Sequence, residues 1–155
     1  LNKLAKSKNG EKAYIGSILF HKTLKTISFE EKFGMVDFDW LLRLFRNNKS
    51  IEINKPLYRR YFYGSNLSMD ENYRRNDYDL SLQTVLSYKN EFPELVKKSI
   101  KRINGSMARY YYVMGNMEKS RHYFLHSEID MKTILYYLTS YAGSGFVKKH
   151  FNVFG

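Results

Sequence analysis

The sequence predicts an α/β amino-terminal part, residues 1–70, followed by an all-α tail, residues 71–155, with helix predominating overall. Short β-branched and aromatic runs, Tyr14 to Phe20 and Leu57 to Tyr63, lie between turn residues as buried strands do. From Asp70 onward apolar residues recur instead at helical intervals, separated by Pro, Gly and Asn. A hydrophobic share of 43% separates the chain from disordered polypeptides.

The elements follow in order. Residues 1–12 are polar and basic, contain Gly10, and read as a loop. Leu1-Asn2-Lys3-Leu4 shows no signal-peptide pattern and no initiator Met, so the natural start of the protein is expected upstream. The run Tyr14-Ile15-Gly16-Ser17-Ile18-Leu19-Phe20 is the first expected strand, and Ser28 to Gly34 reads as a turn. Phe38, Leu41, Leu42 and Phe45 then recur at helical spacing until Asn47-Asn48. Ile51-Glu52-Ile53 alternates like a strand, and Leu57 to Tyr63 is a further extended run closed by Gly64-Ser65-Asn66.

Asp70 to Phe92 reads as a long polar helix whose buried face is Leu80, Leu82, Val85 and Leu86. Pro93 suits the first turn of the next helix, where a missing N–H costs nothing. Leu95 to Met114, Glu118 to Ser127, Met131 to Tyr141 and Phe146 to Phe151 complete the tail. Met107-Ala108, Tyr111, Gly115, Ser120, Phe124 and Ser127 resemble a single tetratricopeptide repeat, with small residues where two helices cross. One repeat cannot bury its own face, so this segment is read as a packing hairpin.

The 26 Lys and Arg outnumber the 15 Asp and Glu, a net charge of +11 that favours an anionic partner. Basic residues from Lys97-Lys98 and Lys101-Arg102 through Lys148-Lys149-His150 alternate with aromatics. That pattern suits peripheral contact with an anionic membrane, and equally a basic nucleic-acid-binding module or a solvated surface. No specific nucleic acid is expected. The absence of Cys removes disulfides and thiolate metal sites and fits a cytoplasmic protein. No apolar run reaches the roughly 18–20 residues of a spanning helix. His122 and His126 share a helix face at zinc-pair spacing, but Tyr123 stands where the metalloprotease motif has Glu, and both read as surface histidines.

The segment Phe29-Glu30-Glu31-Lys32-Phe33-Gly34-Met35-Val36-Asp37-Phe38-Asp39-Trp40-Leu41-Leu42-Arg43-Leu44 carries the chemistry. It resembles the family 2 glycosyltransferase segment in which a Phe-Asp-Glu turn precedes Glu-Asp-x-Asp and a Leu-Arg-Leu helix. Upstream, Ile15 to Lys22 looks like the strand that precedes this turn. Downstream, Pro56 to Ser68 resembles the family's Tyr-Arg-x-His-x-x-Asn-x-Ser segment. The likeness runs in the family's order over residues 12–70.

The resemblance implies a partial GT-A, Rossmann-like nucleotide-diphospho-sugar transferase fold. It also implies inverting sugar transfer from a nucleotide-sugar donor to a glycan or lipid-linked acceptor, as in cell-surface polysaccharide synthesis at the inner membrane face. Asp37 matches the family's catalytic base, the carboxylate that removes the acceptor proton. Asp39, Trp40 and Arg43 become acceptor-binding candidates, and Arg59, Arg60, Tyr61 and Tyr63 candidates for the donor phosphates. Guanidinium suits phosphate because it makes permanent, bidentate contacts.

Three positions depart from the pattern: Val36 replaces the first acidic residue, and Tyr61 and Tyr63 occupy the Arg and His positions. No metal ligand is assigned. The family's divalent cation, Mg²⁺ or Mn²⁺, is held by an Asp-x-Asp motif in a donor-binding half expected outside this chain, which alone should not turn over. From the residues themselves a second role stays open, because Asp37 and Asp39 also suit the cap and positive end of the following helix. A helical protein-interaction module is the remaining non-catalytic alternative.

Overall fold

The computed structural model describes residues 15–34, 37–51, 53, 55, 57–59, 61 and 67–150. Two compact units divide between Thr84 and Val85.

The first unit is organised by helix α1, Asp37–Arg46. Acidic Asp37 and Asp39 occupy its first turn and basic Arg43 and Arg46 its last, each matched to the nearer end of the helix dipole. Trp40, Leu41 and Leu44 form a buried cluster on which Ile18, Leu24, Ile27, Phe29 and Phe45 pack. Most of these partners come from irregular chain. A 3-10 turn, Lys22–Thr26, is capped by His21, whose ring nitrogen accepts the N–H of Thr23. The Glu30 carboxylate then accepts the N–H groups of Lys32 and Phe33, and Gly34 turns the chain with φ +84°, a conformation that favours glycine.

Helix α2, Glu71–Leu86, begins where the Asp70 carboxylate accepts the N–H of Tyr73 at 2.7 Å. Ion pairs Glu71–Arg75 and Arg74–Asp77 run along it, as its polar composition requires. Leu80 and Val85 are buried, Leu82 is half-buried, and Leu86 is exposed despite the buried face expected of it.

The second unit is a helical assembly of α3, Pro93–Met114; α4, Met117–Leu125; α5, Met131–Thr139; and α6, Gly143–His150. Pro93 opens α3. Gly115, with φ +86°, closes it: its N–H reaches the Tyr112 carbonyl and the N–H of Asn116 reaches that of Tyr111. These are the two bonds of a Schellman cap. Asn116 then caps α4 by accepting the N–H of Lys119, so only two residues separate the helices. Ser120 is sealed against Ala108 where α3 and α4 cross, and Tyr112, Met117, Phe124 and Val147 complete the core. The Tyr112 hydroxyl meets Thr139 Oγ1 at 2.8 Å, which ties α3 to α5.

The expected α/β organisation is not what forms. Among the described residues there is no strand and no sheet, and the fold is all-helical. Within the expected strand Tyr14 to Phe20, Ile15–Ser17 closes as a 3-10 turn, while Tyr14 lies outside the described residues. Ile51 and Ile53, the alternating pair, are exposed and not in a strand, and so are Leu57 and Tyr58. Local bonds take over instead: Lys55 N–H to the Ile53 carbonyl, and Leu57 N–H to that of Lys55.

The reason is physical. An extended segment gains little until a neighbouring strand satisfies its backbone and a second layer covers its apolar side. β-Propensity measures fit to such a surface rather than an intrinsic preference of the backbone. None of these runs meets that surface among the described residues. The expected loop at residues 1–12, Arg60, Tyr63, the Gly64-Ser65-Asn66 turn and Phe151 lie outside the described residues.

Candidate functional site

The candidate site is the amino-terminal end of α1 and the side of α2 that meets it. Asp37 is the first residue of α1 and is half-buried. Its charge acts on Tyr73 of α2. Burial first, then the carboxylates of Asp37 and Asp77, push the Tyr73 phenol above its ordinary pKa, and the Arg74 guanidinium opposes them. The ring of Tyr73 also lies against Gly34, so the turn before α1, the start of α1 and the first half of α2 converge on this phenol.

Asp39, two residues on, is committed elsewhere. Its Oδ2 accepts from Arg43 Nε at 2.9 Å and Nη2 at 2.8 Å, a forked contact one helical turn long. Its Oδ1 lies 3.1 Å from the Thr84 hydroxyl, which also lies 2.8 Å from the Leu80 carbonyl and shares its one proton between them. With its side chain only 14% exposed, Asp39 links α1 to the end of α2.

Trp40 is a core residue, 3% exposed. Phe29 stacks on its indole at 4.6 Å, Phe20 meets it edge-on at 5.5 Å, and its N–H donates to the Ile27 carbonyl at 2.7 Å. A sugar ring stacks on an open aromatic face, and Phe29 occupies one face of this indole.

Arg59 and Tyr61 are exposed. Tyr58 beside them packs on the Ile15–Ser17 turn so closely that a Cβ at Gly16 would meet its ring at 3.0 Å. The upstream and downstream motif segments therefore touch.

Tyr73, Asp77 and Thr84 had no role assigned from sequence. The i, i+4 spacing of Tyr73 and Asp77 was visible, but nothing in the sequence pairs α2 with α1. His122 and His126 lie with ring centroids 5.1 Å apart, and His126 Nδ1 is 2.9 Å from the carbonyl oxygen of His122. Among the described residues no three His, Cys, Asp or Glu side chains converge as a metal-binding group.

The chain matches no protein-family model, no curated protein and no solved structure.

Proposed function

We propose that this chain carries the acceptor side of an inverting sugar-transfer reaction of the family 2 glycosyltransferase type, with Asp37 as the general base. The reading rests on the ordered motifs of residues 12–70 and on one structural observation. Half-buried Asp37 is the first residue of α1, and its charge acts on the Tyr73 phenol of α2. The helical fold adds no support of its own.

In this reaction the acceptor hydroxyl oxygen attacks the anomeric carbon of the nucleotide-sugar. The bond to the nucleoside diphosphate breaks with its electron pair, and Asp37 takes the acceptor proton. That requires the carboxylate within about 2.6–3.2 Å of the hydroxyl. A helix start gives such a base a fixed backbone mount. Exposed Arg59 is suited to a phosphate, while Trp40 supports α1 from within.

The test is Asp37→Asn in the natural gene product, assayed for transfer from nucleotide-sugars. Turnover should drop by orders of magnitude while the circular dichroism spectrum is unchanged. Near-normal transfer would remove Asp37 from the chemistry.

A further inference from the structure

Helix α5 is built with its aliphatic side outward. Thr133 and Ser140 are buried, and Tyr136 packs on Tyr112 and Phe124. Met131, Ile134, Leu135 and Leu138, spaced i, i+3, i+4 and i+7, point away from that core with exposures between 41% and 82%. Tyr141, in the 3-10 turn Ser140–Ala142 that follows, extends the same stripe at 65% exposed. Single exposed aliphatics are ordinary, but a continuous stripe marks a surface meant to be covered.

Charge indicates what covers it. From Met131 to Gly155 the sequence contains Lys132, Lys148 and Lys149 but no Asp or Glu. Lys132 is exposed on α5 itself, and the Arg121 guanidinium stacks over the Tyr141 ring at 4.6 Å at the far end of the stripe. The preceding acid, Asp130, is engaged as the α5 cap, accepting the N–H of Thr133. A sheet of phosphate headgroups over an acyl layer complements both features.

We propose that the outward face of α5 lies in the plane of an anionic bilayer surface. Met131, Ile134, Leu135 and Leu138 enter the acyl boundary, and Lys132 and Arg121 meet lipid phosphates. No described helix is long and apolar enough to cross a membrane, so the contact is peripheral. The proposal is independent of the role of Asp37.

Co-sedimentation with vesicles tests it. The chain should pellet with equal mixtures of phosphatidylglycerol and phosphatidylcholine, far less with phosphatidylcholine alone, and less as sodium chloride is raised. Leu135→Asp with Leu138→Asp should weaken binding at least about tenfold, since two apolar anchors are lost. Lys132→Glu should weaken it on anionic vesicles only. All three positions are exposed, and circular dichroism checks that the helices persist. Equal binding to neutral and anionic vesicles, no binding to either, or an unaffected double variant would overturn the proposal. Self-association in sedimentation velocity that the double variant abolishes, without vesicle binding, would assign the stripe to a second copy instead.

Discussion

The Ser120 hydroxyl donates to the Ala108 carbonyl oxygen across 3.0 Å, and both residues are fully buried. This bond replaces bulk at the crossing of α3 and α4, where any larger side chain would hold the helices apart. Ala108→Leu is expected to destabilise the second unit by about 1–3 kcal/mol through overpacking. Ser120→Ala, which keeps the packing and loses the bond, should cost about 1 kcal/mol. Urea denaturation followed by circular dichroism measures both, and an undiminished stability of Ala108→Leu would contradict a close approach of the helices at this point.

Tyr73 gives a test of the Asp37 neighbourhood that needs no turnover. Burial and two carboxylates raise its pKa, so the neutral phenol is favoured in the folded state. The associated stability is fully present below the ordinary tyrosine pKa of about 10 and is lost as pH rises through the higher folded value. Asp37→Asn should bring the Tyr73 titration downward, and Asp77→Asn should do so by less. Ring-carbon NMR of labelled tyrosine reads both. A Tyr73 titration indifferent to Asp37→Asn would separate the two side chains.

Asp130 governs the start of α5 from the opposite end of the pH scale. Its carboxylate accepts the N–H of Thr133 at 2.6 Å, and this bond is the chief reason its pKa falls below the usual Asp value. A depressed folded value means that the stabilisation is present above about pH 4 and fades as pH falls through the lower folded pKa. Asp130→Ala should cost about 1 kcal/mol at neutral pH, as the loss of an N-cap does. The wild-type advantage in thermal unfolding should shrink in strong acid.

The starts of α3 and α5 and the junction of α3 with α4 can be read from sequence because their determinants are local, whereas α6 begins at Gly143 rather than at the expected Phe146. Pro93 and the Gly115-Asn116 pair act on the turns they belong to, and Met131 was placed as the first residue of its helix. No strand forms at the described residues 15–20, 51, 53 or 57–59, because a strand depends on partners that spacing does not reveal. The site divides along the same line. Asp37 and Asp39 look alike in sequence, and spacing does not show that Thr84 reaches Asp39 from the far end of α2. Tyr73 carries no signal in the sequence, because α2 reads as a solvated polar helix. Spacing places Trp40 on α1 but does not show the Phe29 and Phe20 rings against its indole.

That packing has a practical corollary. The chain has 1 Trp, enclosed by aromatic rings in the first unit, while the second unit holds tyrosines and no indole. Intrinsic emission excited at the red edge therefore comes from a single place, the cluster around α1. Fluorescence and far-ultraviolet dichroism of one sample weigh the two units differently. Disagreement between those melting curves would mean that the units unfold separately.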